Sequence, residues 1–201
     1  MIIPIRYLIF DLDGTLVDSG LDFDLMRAEM GLACGAPILE TLAGMPTEQA
    51  RRCWQVVERH ELAGAERALP FPGVVDFLES LAARGVRQAV LTRNSRAVAE
   101  TMLRRVPFAF DRIVTREEGP IKPDPRAVLN LCAHWGASPR ETAIVGDSRY
   151  DLETGRRAGV FNVLYAGGRD TAALDYASWA HYVLHSFEQR EDFLAWLDQP
   201  G

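Results

Sequence analysis

From residue 74 onward the chain alternates between helical and strand periods, and that alternation limits the folds open to it. "VVDFLESLAARG" places Val74, Leu78, Leu81 and Ala82 on one helix face, with Gly85 as its stop. "VRQAVLT", residues 86–92, reads as a strand. Ser95 can cap a helix that turns Val98, Met102 and Val106 inward, and "FDRIVT" is a further short strand. Asp124-Pro125 reads as N-cap plus first-turn proline for a helix carrying Val128, Cys132 and Trp135 on one face. "SPRE", 138–141, has the form of a capping box and leads into the apolar run "TAIVGDS". "VFNVLYA" and "HYVLHS" are strand candidates, and "FEQREDFLAWL" is a last helix. Strand, helix, strand in succession requires crossover connections, so the sheet is expected to be mostly parallel and flanked by helices. In such sheets ligands bind at the carboxyl ends of the strands.

The segment between residues 18 and 69 has a different character. "FDLMRAEM" and "PILETLAGM" look helical. "TEQARRCWQVVERHELAGAERA" repeats Ala50, Cys53, Trp54, Val57 and Glu61 at helical spacing, with Thr47 as the expected N-cap. "LPFPG" closes the segment with two prolines and a glycine. The expected division is therefore a Rossmann-like core of residues 1–17 and 70–201, interrupted by a helical cap of residues 18–69.

The polar residues at the ends of the apolar runs are the unusual ones. "LIFDLDGT" puts Asp11 and Asp13 at the tip of a strand, "LTRNS" puts Thr92 at another, and "VGDSRYD" puts Asp147 at a third with Asp151 four residues on. Alternate side chains of an extended chain share a face, so Asp11 and Asp13 address one site. Asp147 and Asp151 would share a face if a helical turn begins there. Four carboxylates at strand tips repel one another unless cations lie among them. Mg²⁺ takes one or two carboxylates, waters and substrate phosphate oxygens, so the carboxylates imply a metal and the metal implies a phosphate. Of 22 cationic side chains, 21 are Arg and one is Lys, at position 122 in "IKPDP". A compact ammonium there is a point charge that the planar guanidinium does not reproduce.

These four stretches, in the chain order "LIFDLDGT", "LTRNS", "IKPDP", "VGDSRYD", resemble the haloacid dehalogenase-like hydrolase superfamily. The helical segment after the first motif is similar to the small cap of its phosphoglycolate-phosphatase-like branch. The resemblance spans about residues 5 to 168. It implies that Asp11 is a nucleophile forming an aspartyl-phosphate, and that Asp13 is first general acid and then general base. It implies that Gly14 lets backbone amides approach the phosphoryl oxygens and that the Thr92 hydroxyl and Lys122 bind them. Mg²⁺ is expected on Asp11, the Asp13 carbonyl and Asp147, with Asp151 orienting Lys122 or a metal-bound water. Arg93 and Asn94 follow Thr92 and are expected to touch the substrate. The resemblance further implies that the acid at position 13 favours phosphate esters, whose leaving oxygen needs a proton, over carbon–halogen or carbon–phosphorus bonds.

The expected activity is Mg²⁺-dependent hydrolysis of a small phosphorylated metabolite. The alternatives are a β-phosphoglucomutase-like mutase using the same motifs, or a non-catalytic phosphate-binding module. A net charge of −6 argues against a nucleic-acid partner, and no apolar run reaches the roughly 18 residues of a membrane span. Three cysteines without CxxC spacing and no signal-peptide pattern point to a reducing, cytoplasmic setting, as a monomer or homodimer. His181 and His185 lie four apart without an acidic or Cys partner nearby in sequence, and carry no metal expectation.

Overall fold

The computed structural model describes residues 3–200. It separates into two compact units: one runs up to Asp18 and resumes at Leu69, and the other is Ser19–Ala68.

The larger unit is built on a six-stranded sheet. Its strands are β1 (Tyr7–Phe10), β4 (Arg87–Leu91), β5 (Arg112–Val114), β6 (Thr142–Gly146), β7 (Phe161–Tyr165) and β8 (Tyr182–Leu184), in the order β5-β4-β1-β6-β7-β8. All five pairings are parallel, with Tyr7 opposite both Arg87 and Thr142. The chain steps outward from β1 through β4 to β5, then returns to the other side of β1 for β6. In open sheets with such a reversal, ligands bind outside the carboxyl ends of the central strands. A short antiparallel ribbon, β2 (Val17–Asp18) with β3 (Leu69–Pro70), carries the two passages to and from the inserted unit.

Alternation along the strands sends neighbours to opposite faces. Ile9, Ala89, Leu91 and Ile144 pack with Val128, Leu131, Cys132 and Trp135 of α6 (Arg126–Trp135) and with Ala158 at the end of α7 (Arg149–Ala158). Phe10 meets Phe77 of α4 (Val74–Ala83) edge-on at 6.5 Å, and Phe77 packs on Phe193 of α8 (Arg190–Asp198) at 5.1 Å. The helix α5 (Arg96–Leu103) buries Val98 and Met102, and the Ser95 side chain accepts from the Val98 amide as expected of an N-cap.

Two expectations need correction in detail. The inward face of α4 is Val74, Phe77, Leu78 and Leu81, whereas Ala82 is exposed. Pro125 stands at the N-cap of α6 rather than inside its first turn, although the Asp124 carboxylate still accepts from the Arg126 amide as a capping residue does. "SPRE" forms the expected capping box, on a single 3-10 turn that delivers the chain into β6.

The smaller unit holds α1 (Phe23–Met30), α2 (Ile38–Ala43) and α3 (Thr47–Arg67). Met26, Met30, Ile38, Leu42, Cys53 and Val57 form its own apolar cluster. Pro46 precedes α3 as its N-cap, and Thr47 is the first helical residue, with no side-chain cap bond. Proline needs no partner for an N–H it lacks, so the helix starts one residue earlier than expected. Glu29 of α1 ties to α3 through Arg59 and His60. Cys34 is exposed, and Cys53 and Cys132 are buried free thiols. Among the described residues no helix is long and apolar enough to cross a membrane.

Candidate active site

Asp11 directly follows β1, Thr92 follows β4 and Asp147 follows β6, so parallel pairing alone brings these three ends side by side. The Asp11 amide still donates to the Val145 carbonyl at 2.9 Å, which carries the sheet ladder up to the carboxylate. After Asp11 the chain folds back on itself: the Leu16 and Val17 amides donate to the Leu12 carbonyl at 2.8 and 3.0 Å. Gly14 sits in this turn at φ +83°, a region that disfavours side chains. A Cβ there would lie 2.7 Å from an oxygen of Asp147, so the missing side chain is what admits that carboxylate.

Lys122 is the centre of the arrangement. It lies in the irregular segment between β5 and α6, yet only 2% of its surface is exposed. Its Nζ lies 2.6 Å from Asp11 Oδ1 and 2.6 Å from Asp151 Oδ1. The other Asp151 oxygen accepts from the Ser148 amide at 3.0 Å and from the Ser148 hydroxyl at 2.5 Å. Asp151 is thus committed on both oxygens. Burial works against the charge of Lys122, but Asp11 and Asp151 outweigh it and hold its pKa above the ordinary value.

Carboxylate oxygens of Asp11, Asp147 and Asp151 lie within 4.8 Å of one another. Burial, reinforced by repulsion from Asp151 and Asp147 and opposed by Lys122, pushes Asp11 up to about 8. Burial and repulsion from Asp151 and Asp13 push Asp147 up to about 6, with Arg169 and Lys122 pulling the other way. When Asp11, Asp13, Asp147 and Asp151 are all ionised, they outnumber the cations Lys122 and Arg169 by two charges. A divalent cation fits that deficit and the oxygen-only donor set. Asp151 is engaged by Lys122 and Ser148 through both oxygens, whereas the ion pairs of Asp11 and Asp147 each use one.

The Thr92 hydroxyl accepts from the Asn94 amide at 3.1 Å, which leaves its proton to donate. The Asn94 side chain is buried, and its Nδ2 lies 4.0 Å from Met102 Sδ, so its amide points into the core. Arg93 Nη1 donates to the Lys122 carbonyl at 2.5 Å, and its guanidinium lies 3.9 Å over the Tyr150 ring.

A family model for haloacid dehalogenase-like hydrolases matches residues 24–159, more than half of the chain. The chain belongs to the haloacid dehalogenase-like hydrolase family. It is 36% identical over 167 residues to an uncharacterized hydrolase of Saccharomyces cerevisiae, covering 80% of this chain and 77% of that protein. It is 31% identical over 206 residues to a phosphoglycolate phosphatase of Thiobacillus denitrificans, covering 86% of this chain and 90% of that protein. The fold is similar to that of a hydrolase from Pseudomonas syringae, with a TM-score of 0.79, 24% identity, and 98% of this chain and 100% of that one covered.

Four residues of this hydrolase's site had no part in the sequence expectations. Arg169 donates to the Asp147 carboxylate at 3.2 Å and to the Tyr165 carbonyl at 3.2 Å. The Tyr176 hydroxyl donates to the Asp147 carbonyl at 3.2 Å. Both lie in the irregular chain after β7, where no periodicity marks a side chain as inward. Ser148 and Tyr150 lie inside the quoted "GDSRYD", but a hydroxyl and a ring beside two aspartates carry no signal without their partners.

Proposed function

We propose that this hydrolase releases phosphate from a small phosphate monoester with Mg²⁺ as cofactor, through an aspartyl-phosphate on Asp11. The observation that supports the reading is one buried ammonium bridging Asp11 and Asp151 at 2.6 Å each, beside Asp147. An ordinary core has no use for that cluster, since each buried charge costs several kcal/mol of desolvation. The phosphoglycolate phosphatase named among the relatives supports a small phosphate ester as the substrate class.

Asp11, Asp147 and the Asp13 carbonyl would hold Mg²⁺, which when bound supplies positive charge that favours the ionised carboxylates and draws electron density from a phosphoryl oxygen. Lys122 carries three N–H donors, two of them on Asp11 and Asp151, so the third is available to a phosphoryl oxygen. The Thr92 hydroxyl proton serves a second oxygen. The free oxygen of Asp11 attacks phosphorus in line, and the P–O bond to the leaving group breaks. Asp13, protonated at this stage, gives its proton to the leaving oxygen. Asp13, now a carboxylate, takes a proton from water as that water attacks phosphorus, and the Asp11–phosphorus bond breaks to free phosphate. In this reading residues 18–69 select the substrate, and the core of residues 1–17 and 70–201 carries the chemistry.

A panel of phosphate esters assayed for inorganic phosphate with Mg²⁺ tests the reading. The expected result is release by the wild type, near-complete loss in Asp11→Asn, and a hydroxylamine-labile phosphoenzyme in rapid quench. No release anywhere in the panel, or isomer formation from hexose phosphates without release, overturns it. Asp13→Asn should retain binding and lose roughly 10²–10⁴-fold in kcat, the usual contribution of a positioned acid–base group.

A further inference from the structure

Lys122 is gripped at both ends. Its ammonium is held by Asp11 and Asp151, while its backbone carbonyl accepts from Arg93 Nη1 at 2.5 Å. The second grip needs explanation, because Lys122 belongs to no helix or strand. A lysine side chain is long and flexible, and a moving backbone would move the ammonium with it. Arg93 is itself fixed: its guanidinium lies 3.9 Å from the centroid of the Tyr150 ring, and its own carbonyl accepts from Arg116 Nη1 at 3.4 Å. Tyr150 is the residue before Asp151, in the first turn of α7. One guanidinium therefore joins three segments: the loop after β4 that carries Thr92, the segment that carries Lys122, and the helix start that carries Asp151.

We propose that Arg93, stacked on Tyr150, is a positioning residue that holds the backbone of Lys122 so that its ammonium stays between Asp11 and the incoming phosphoryl group. The role rests on the phosphatase reading for its effect on rate, but not for its effect on Lys122. A planar fork suits it: the flat face lies on the ring while an in-plane N–H points at the carbonyl. A lysine at 93 keeps the charge and loses that geometry. This role differs from a direct contact of Arg93 with the substrate, and the two separate in kinetics. A substrate contact shared by ground and transition states raises KM, whereas misplacement of Lys122 lowers kcat.

The test uses Arg93→Ala, Arg93→Lys, Tyr150→Ala, Tyr150→Phe and the Arg93→Ala/Tyr150→Ala double variant. Lys122 is the only lysine of the chain, so ¹³Cε,¹⁵Nζ-lysine labelling gives one side-chain signal that reports on it alone. The expected result is a shifted or broadened lysine signal in Arg93→Ala, Arg93→Lys and Tyr150→Ala, and a wild-type signal in Tyr150→Phe, which keeps the ring. With the best substrate of the panel, kcat should fall roughly 10- to 100-fold in Arg93→Ala with KM within about threefold, as for other small misplacements. Tyr150→Ala should repeat that loss, and the double variant should lose no more than either single one. Should Arg93→Ala not fold, Arg93→Lys carries the same test. An unmoved lysine signal in Arg93→Ala overturns the proposal, as does a KM rise with kcat unchanged. If the wild type turns over nothing while the lysine signal moves as expected, the phosphatase reading falls and the positioning role stands.

Discussion

At the scale of single residues, two glycines decide where the carboxylates can stand. Gly14 combines φ +83° with an approach to Asp147 that leaves no room for a methyl group, and a Cβ at Gly146 would collide with the Asp151 carboxylate. Gly14→Ala therefore meets backbone strain and steric displacement together. Strain of this kind costs about 1–3 kcal/mol, which urea denaturation should read directly. Because the displaced group is Asp147, titration calorimetry with Mg²⁺ should also show weaker binding. A variant as stable as wild type with unchanged affinity would contradict the close approach. The Asp11 carboxylate was legible from its place at a strand end, since an apolar run that stops at a charge is a local fact. The partner of Arg93 was not: a cation beside Thr92 reads equally as a substrate contact, and only coordinates turn it toward the Lys122 carbonyl.

At the scale of elements, α7 is the one that sequence reasoning described least. Its buried residues are Asp151, Leu152, Thr154, Gly155 and Ala158, mostly small or polar, so no apolar stripe announces a helix. Gly155 lets the helix close on Asn162 and Ile144, where a Cβ would collide with the Asn162 oxygen. The Asn162 side chain in turn donates to the Leu152 carbonyl at 2.9 Å. The start of the helix serves the site as well as the fold, because Asp151 bonds the Ser148 amide and hydroxyl with one oxygen and Lys122 with the other. Ser148→Ala should cost about 0.5–2 kcal/mol, the usual range for a lost cap, measured as a shift in denaturation midpoint. A cost near zero would mean that the bonds to Asp151 do not hold the first turn.

At the scale of the whole molecule, the two passages into the smaller unit are adjacent, since Asp18 pairs with Leu69 across an antiparallel ribbon. Replacing residues 19–68 by a short Gly-Ser turn should leave a core that unfolds cooperatively, followed by circular dichroism on heating. A chain without a transition would show that the core depends on the insertion. The charge balance of the site makes a second global prediction. Asp147 and Asp11 are raised to about 6 and about 8, above the ordinary value of 3.8. Groups raised on folding hold more protons in the native state, so their contribution is intact below about pH 4 and is lost as pH rises through those values. Metal-free protein should therefore lose melting temperature between pH 5 and pH 9, a window in which ordinary carboxylates are already ionised. Mg²⁺ should recover more at pH 8.5 than at pH 5.5, and Asp147→Asn should flatten the decline. A melting temperature that rises steadily across the window would contradict this balance.

The amino-acid sequence alone determined the succession of helices and strands apart from α7, the parallel sheet that follows from it, and the carboxylates waiting at strand ends. All of these depend on period, caps and spacing within a few residues. Tertiary structure decided which charges meet. Lys122 reaches Asp11 across 111 positions, and Arg169 reaches Asp147 from a segment with no regular pattern. Local pattern encodes the direction of a side chain relative to its own backbone. The partner opposite is set by strand order, which places the ends of β1 and β6 next to each other and lets distant loops close over them.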